Sequence, residues 1–267
     1  MNRKDMYLFL SFIFFFFCSC SSGKQELFNG RNLDGWETFI GKPLYNKDVD
    51  ENKLNIFSVV EEDGDPAIRI SGEANASLCT KNSYSDFHLR LEFKYGDKVY
   101  DKRNSGLLYH SFGNFGVGIN TWKSSIEFQM MEGDMGSMYC MGDVSGTVNS
   151  VATDATTFTY DPNGDALKFG AGSNNGKYCK AIGGHEEQTG RWNYLDLYCY
   201  SSSNKAIHIL NGRVVCVVSN ISRTSNKENP NEEGDNLLSG QIQIQSEGAE
   251  LFIRNISIED IDVDIVY

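Results

Sequence analysis

Proline, histidine and positive charge are scarce in this chain of 267 residues. It contains four prolines, four histidines and 24 basic residues against 36 acidic residues, which gives a formal net charge of −12. A strongly acidic protein repels phosphate backbones and anionic lipid surfaces, so the charge argues against nucleic acid as a partner. We therefore expect a domain whose ligand is a neutral or cationic small molecule.

Several motifs that carry chemistry in other proteins are also absent. The chain has no glycine-rich phosphate loop ending in Lys-Ser/Thr, no nucleophile elbow in a strand–turn–helix context and no CxxC pair. Nor does it show an internal repeat or an amphipathic helix of more than two turns. Five cysteines follow residue 20, and because this number is odd at least one thiol is unpaired or links two chains. We expect buried thiols, with one disulfide among them as an alternative.

The N-terminus contains the long hydrophobic run of this sequence. Two basic residues precede the apolar stretch Met6–Phe17, which is shorter than the ~20 residues that span a bilayer but fits a secretory signal. Cys20 follows a small serine, as a lipoprotein signal peptidase requires, whereas Cys18 follows a phenylalanine. We predict a signal peptide over 1–19, lipidation of Cys20 and a tether over 20–25. An ordinary signal peptide or a membrane anchor is the alternative.

These features together predict where the protein resides. A lipidated cysteine would hold it in the cell envelope, in the periplasm or at the outer membrane or cell surface. The lipid anchor would be its only contact with the membrane.

Alternation of apolar and polar residues dominates the rest of the chain. Residues 86–95, DFHLRLEFKY, place their phenylalanines and leucines on one face, and the charged residues and histidine on the other. Low proline, frequent glycine and short strand spacing predict an all-β fold, an antiparallel β-sandwich of jelly-roll type. We expect one domain over 26–267, with Phe87, Leu89, Leu91 and Phe93 facing its core.

Turn signals divide this chain into hairpins and loops. Residues 207–218 carry Asn211-Gly212 between two β-rich runs, the pair favoured in a type I′ turn. Residues 241–258 predict a second hairpin, turning at Glu247-Gly248. Three long polar segments are predicted as loops that rim the sandwich: 95–106, 111–125 and 160–190.

A carboxylate and an amide share one face of the strand SSIEFQ. Glu127 and Gln129 point the same way, opposite to Ile126 and Phe128. Such a pair in a groove can bind a sugar or transfer a proton, but an ordinary solvated sheet face tolerates it equally well. Glu132 would point to the face opposite to that of Glu127 unless a bulge or turn rotates it.

Histidines and a tryptophan provide further candidates. His110 ends an apolar strand, where a histidine can be a base, a metal ligand or a core residue. His185 lies beside two glutamates in a loop, a weak signal for a metal site. Trp122, in a loop next to Lys123, is a candidate platform for a sugar ring.

Several segments together resemble a known family. ELFNGRNLDGW, NSGLLYH, SIEFQMMEGDMG, RWNYLDLYC, HILNGRVV and SGQIQIQSEGAELFIRNISI follow the order found in the bacterial 3-keto-disaccharide hydrolase family, over roughly residues 26–260. Its members are often exported lipoproteins. The resemblance implies a concanavalin-like jelly roll with a sugar site on the concave sheet. The loop before Trp192 departs from the family pattern, because Arg191 replaces an acid there, which puts the exact substrate in doubt.

The resemblance also implies site residues and a reaction. Residues that match its motifs are Glu127, Gln129, Glu132, Asn104, His110, Gln245 and Arg254. The implied chemistry is cleavage of a glycoside oxidised at C3, in which a base removes the C2 proton and the leaving group departs from C1. Glu127 or His110 would be the base. Arg254, His110 or a divalent cation would stabilise the enolate.

Two other classes remain open at this point. One is a noncatalytic carbohydrate-binding lipoprotein, since a jelly roll does not itself imply catalysis. The other is a conventional glycosidase that uses two carboxylates on unoxidised sugars.

Overall fold

The computed structural model describes residues 23–46, 54–224 and 234–261, and these residues form eighteen strands and no helix. The strands are β1 (Gln25–Glu26), β2 (Trp36–Leu44), β3 (Phe57–Glu62), β4 (Asp65–Ile70), β5 (Ala74–Thr80), β6 (Phe87–Asn104), β7 (Gly106–Phe112), β8 (Ser124–Gln129), β9 (Met138–Met141), β10 (Val144–Ala152), β11 (Phe158–Tyr160), β12 (Asp165–Gly170), β13 (Tyr178–Cys179), β14 (Asn193–Tyr200), β15 (Lys205–Leu210), β16 (Arg213–Arg223), β17 (Asp235–Asn236) and β18 (Gln241–Asp260). Accordingly, no apolar helix long enough to span a bilayer occurs in the described ranges. The predicted signal peptide and Cys20 lie outside them.

Two antiparallel sheets form the sandwich. The front sheet has the order β2-β5-β18-β7-β8-β9-β13. The back sheet has the order β3-β4-β18-β6-β14-β15-β16-β10-β12, with β1, β11 and β17 at its margins. The predicted all-β jelly-roll sandwich is therefore confirmed.

Strand parity decides which side chains fill the space between the sheets. Phe87, Leu89, Leu91 and Phe93 of β6 are at most 1% exposed and belong to the main core, as their alternation predicts. On the front sheet, apolar residues of β7 and β8 face the same core: Leu107, Tyr109, Ile126 and Phe128. The residues that alternate with them, Glu127 among these, must face outward.

One predicted hairpin is confirmed and the other is wrong. Strands β15 and β16 pair around Asn211-Gly212, and both turn residues have positive φ, as a type I′ turn requires. Residues 241–258, in contrast, do not reverse at Glu247-Gly248. They form the continuous strand β18, whose first part pairs in the front sheet and whose second part pairs in the back sheet. Gly248 has φ 87° and marks a kink between the two parts.

The predicted loops are also partly corrected. Residues 95–106 continue β6 up to Asn104, although a bulge over 100–103 interrupts the pairing with β18. Residues 160–190 contain β12 and β13. The segment between β7 and β8 is a loop, as predicted.

All five cysteines of the described chain are buried free thiols, so they act as small apolar residues and form no disulfide: Cys79, Cys140, Cys179, Cys199 and Cys216.

Candidate functional site

Two buried polar side chains meet on the outward face of the front sheet. Glu127 on β8 is 3% exposed and Gln245 on β18 is 1% exposed. Strand β7 runs between them and places Gly106 at their meeting point. A Cβ atom at Gly106 would collide with Oε1 of Glu127 and with Oε1 of Gln245. The missing side chain of this glycine therefore creates the space in which the carboxyl and the amide approach each other.

A second carboxyl, which the sequence reading assigned to a turn, lies beside this pair. Glu247 follows Gln245 by two residues on β18 and is paired in register with Asn104. Burial raises the pKa of Glu247 to about 7, while the charge of Lys102 and a hydrogen bond from Asn104 act in the opposite direction. Near neutral pH this carboxyl can both accept and release a proton.

Burial also favours the protonated form of Glu127. It raises the pKa of this carboxyl well above the ordinary value, and the negative charges of Glu247 and Asp134 add to the effect. Neighbouring carboxyls whose pKa values are shifted by their surroundings are an arrangement that acid–base catalysis uses.

Unpaired amide oxygens surround the carboxyls. Oδ1 of Asn104 and Oε1 of Gln245 are buried and have no hydrogen-bond partner in the described part of the chain. A buried polar atom left without a partner costs about 1–3 kcal/mol, so such atoms call for an explanation. Both oxygens therefore have unused hydrogen-bonding capacity next to the carboxyls.

Two tyrosines lie near the carboxyl pair. The Tyr45 hydroxyl donates to Oδ1 of Asn75 at 2.9 Å, and burial together with the charges of Glu247 and Asp101 raises its pKa to about 12. Tyr139 on β9 is paired with Glu127 in register, and burial followed by the charge of Glu127 raises its pKa as well. Both hydroxyls therefore keep their protons. The Tyr45 hydroxyl already donates to Asn75 and can only accept a further hydrogen bond, whereas the Tyr139 hydroxyl can donate one.

Gln129 and Glu132 lie near this face but have other partners. Oε1 of Gln129 accepts hydrogen bonds from the amides of Met130 and Met131, both at 2.9 Å, so only its amide nitrogen is free for a ligand. Glu132 pairs with Arg103, whose Nη1 is 3.5 Å away, and accepts a hydrogen bond from the hydroxyl of Thr189. Glu132 lies beyond the end of β8, so strand alternation does not decide its direction, and its role as a catalytic candidate stays a prediction.

The structure does not bring His110 to the carboxyls, which corrects its expected placement. The residue has φ 51°, and the pairing of β7 with β8 is irregular at this point. Its ring lies edge-on to Phe87 and Tyr109 of the core, at centroid distances of 6.2 and 5.4 Å. Burial lowers its pKa to about 4, so the imidazole is neutral. The irregular backbone turns the side chain inward although simple alternation would turn it outward.

Arg254 and His185 also lie away from the carboxyls. Arg254 belongs to the back-sheet part of β18, where it binds Glu92 and Asp65, each at 2.9 Å, and stacks on the ring of Trp192. The family resemblance had implied Arg254 in the groove, as a polar position of the predicted C-terminal hairpin. The backbone oxygen of His185 accepts a hydrogen bond from Asn211, at the turn after β15.

Trp122 and Lys123 contact the front sheet but are not open to a ligand. Trp122 is fully buried, donates from Nε1 to the backbone oxygen of Ala76 at 3.1 Å and packs with Leu108. It therefore cannot be an exposed sugar platform. Lys123 binds Glu37 at 3.0 Å through Nζ and also donates to Gln241.

The described residues hold no group of three or more histidine, cysteine, aspartate or glutamate side chains that could bind a metal ion.

This β-sandwich, by the family to which the chain belongs, is a carbohydrate-active domain. The chain belongs to the family of 3-keto-alpha-glucoside-1,2-lyase-like domains, whose family model matches residues 23–259. No curated protein matches the chain at a significant level.

Several solved structures are similar to the chain at low sequence identity. A candidate glycosyl hydrolase of Parabacteroides distasonis ATCC 8503 is 17% identical, with 90% of this chain and 100% of that chain covered and a TM-score of 0.51. A second candidate glycosyl hydrolase of the same organism is 18% identical, with 90% and 95% covered and a TM-score of 0.48. A carbohydrate-binding module of Bacillus subtilis is 11% identical, with 85% and 96% covered and a TM-score of 0.45.

Proposed function

We propose that the protein cleaves glycosides whose sugar ring is oxidised at C3. The observation that carries this proposal is the buried carboxyl of Glu127 beside the unpaired amide oxygens of Gln245 and Asn104, in a chain of this family. A carbonyl at C3 acidifies the C2–H bond, so a carboxylate can remove that proton. The group at C1 then leaves, and water adds to the resulting enone.

The site supplies the classes of group that this route needs. Elimination requires a base for the C2 proton, an acid for the leaving oxygen and hydrogen-bond donors or positive charge near the enolate. Two carboxyls provide the proton transfers, the tyrosine hydroxyls and amide groups can bind the hydroxyls of the sugar, and Lys102 brings a positive charge close to Glu247. Neither His110 nor Arg254 is needed.

A conventional glycosidase is the second candidate, because the pair Glu127 and Glu247 could also act directly on an unoxidised glycoside. A binding protein without catalysis is the third. All three candidate functions would bind a sugar at the same face of the front sheet. They therefore have to be distinguished by which sugars the protein cleaves.

The first prediction concerns substrate. Purified protein should release the aglycone or second sugar from 3-keto-glucosides and 3-keto-disaccharides, while the unoxidised parents stay intact, because only the keto form has an acidic C2–H bond. Chromatography of the products measures this. Cleavage of the parents would instead favour the conventional glycosidase, and binding of sugars with no cleavage of either form would favour the binding protein.

We also propose that the protein is a lipoprotein of the cell envelope, from the sequence pattern around Cys20. The second prediction is that Cys20→Ala, expressed in the native host or a related bacterium, moves the protein from the membrane fraction to the soluble fraction, because the acyl acceptor is lost. Fractionation followed by immunoblotting measures this. Cys18→Ala is the matched control and should stay with the membrane; a Cys20→Ala protein that stays there too would refute the anchor.

A further inference from the structure

The residue after Glu247 has a backbone conformation that glycine favours, at the kink of β18. Gly248 has φ 87°, in the left-handed region that favours glycine. A Cβ atom added to Gly248 would lie 3.1 Å from Cβ of Asp101 and 3.1 Å from the backbone oxygen of Lys102. The β6 bulge over 100–103 therefore packs tightly against the kink of β18, next to Glu247.

Charged and titratable groups from several elements act on Glu247. The bulge contributes Asp101 and Lys102, and the end of β6 contributes the hydrogen bond from Asn104. Glu127 on β8 and the tyrosines Tyr45 and Tyr139 lie within range of its charge, since that charge affects the pKa of each of them. Lys102 is exposed at the rim. It provides the positive charge that favours a carboxylate at this position.

The two carboxyls also differ in their access to solvent and ligand. Glu127 lies beneath the outward face, at 3% exposure, whereas Glu247 is only partly buried and lies next to the exposed bulge. A base that exchanges protons with substrate and water has to be reachable. An acid that keeps its proton until the leaving group departs benefits from burial.

We propose that Glu247 is the base that removes the C2 proton and that Glu127 is the acid that protonates the leaving group. This assignment rests on the proposed function. In the first step the C2–H bond breaks, its proton moves to the Glu247 carboxylate, and the electron pair forms a C2=C3 double bond with a negative oxygen at C3. Lys102, whose positive charge acts on Glu247, is the basic group assigned to stabilise this oxygen.

The remaining steps restore both carboxyls. The C3 carbonyl re-forms, the electron pair of the C2=C3 bond forms a C1=C2 double bond, the C1–O bond breaks, and the leaving oxygen takes the proton of Glu127. The Glu127 carboxylate then removes a proton from water while the hydroxyl bonds to C1, and C2 takes back the proton held by Glu247. Atoms and electrons balance, and no further reactant is needed.

The third prediction separates the two roles. In D₂O, an active protein exchanges the C2 hydrogen of a 3-keto-glucoside, which nuclear magnetic resonance follows independently of product release. Glu247→Gln should lower both exchange and elimination by about 10²–10⁴-fold, the usual scale of general acid–base catalysis. Glu127→Gln should retain exchange while elimination slows. The exposed Glu61 on β3 gives the control Glu61→Gln, which should behave as the wild type.

Several outcomes would overturn the assignment. If Glu247→Gln exchanges the C2 hydrogen as fast as the wild type, Glu247 is not the base, although turnover by the wild type would leave the proposed function intact. If the wild type neither exchanges nor eliminates, the proposed function fails and the assignment fails with it. If Glu247→Gln does not fold, Glu247→Asp is the second variant, because it keeps a carboxylate that is withdrawn by one methylene group. Slower exchange of the C2 hydrogen at an unchanged melting temperature supports the assignment. Exchange as fast as in the wild type refutes it.

Discussion

Replacing Glu127 by glutamine is expected to leave a folded protein that turns over 3-keto-disaccharides about 10²–10⁴-fold more slowly. The amide has nearly the shape of the protonated carboxyl that burial favours at this position, so packing on the front sheet should persist. It has no proton to transfer to the leaving oxygen. Steady-state kinetics and thermal unfolding together measure both halves of this prediction.

The leaving group gives this fourth prediction a sharper form. A sugar or alkyl alcohol needs a proton to depart, whereas 4-nitrophenolate departs without one. The loss caused by Glu127→Gln should therefore be large for a 3-keto-disaccharide and small for a 4-nitrophenyl 3-keto-glucoside. Equal losses for the two substrates, or full activity on both, would show that Glu127 is not the acid. The Glu61→Gln variant again serves as the control.

Gly106→Ala, the fifth prediction, is expected to lower turnover by about 10²-fold, although it adds a single methyl group. That methyl would occupy the space in which Oε1 of Glu127 and Oε1 of Gln245 now lie, so both side chains must move. A displacement of about 1 Å at reacting groups can cost a factor of this size. Kinetics on a 3-keto-glucoside measure the loss.

A second glycine provides a matched control for that substitution. A Cβ atom at Gly183 would meet nothing within 4 Å, and Gly183 does not have a positive φ. Gly183→Ala should therefore keep both stability and turnover. Unchanged turnover in Gly106→Ala would mean that the position of Glu127 and Gln245 is not critical. If circular dichroism shows that Gly106→Ala does not fold, the loss of turnover is due to unfolding and not to displacement of these two side chains.

Local alternation was sufficient to predict the sandwich and the outward face of β8. Phe87 and Leu89 face the core and Glu127 faces away from it, because side chains on a strand alternate whatever the strand pairs with. Alternation along one strand does not reveal which other strands contribute side chains to the same sheet face. This is why Gln245 could be suggested only through the family resemblance.

The errors at Glu247, Arg254 and His110 have one physical origin, which is backbone irregularity set by distant parts of the chain. Glycine after Glu247 signals a turn, yet tertiary pairing with two different sheets keeps β18 extended. Glu247 was therefore assigned to a turn and missed as a site residue, and Arg254 was placed on the wrong sheet. His110 was misplaced because a positive φ at a non-glycine residue is not evident from sequence.

Because β18 takes part in both sheets, local opening of the site is coupled to unfolding of the whole domain. Gln245 and Glu247 lie where this strand crosses from one layer to the other. A site at an edge strand or on a loop can open locally without unfolding the rest of a domain. Here the amides of β18 on either side of the kink are bonded into different layers, so separating them requires both layers to open together. The carboxyl pair should therefore belong to the slowest-exchanging unit of the protein and not to a mobile lid.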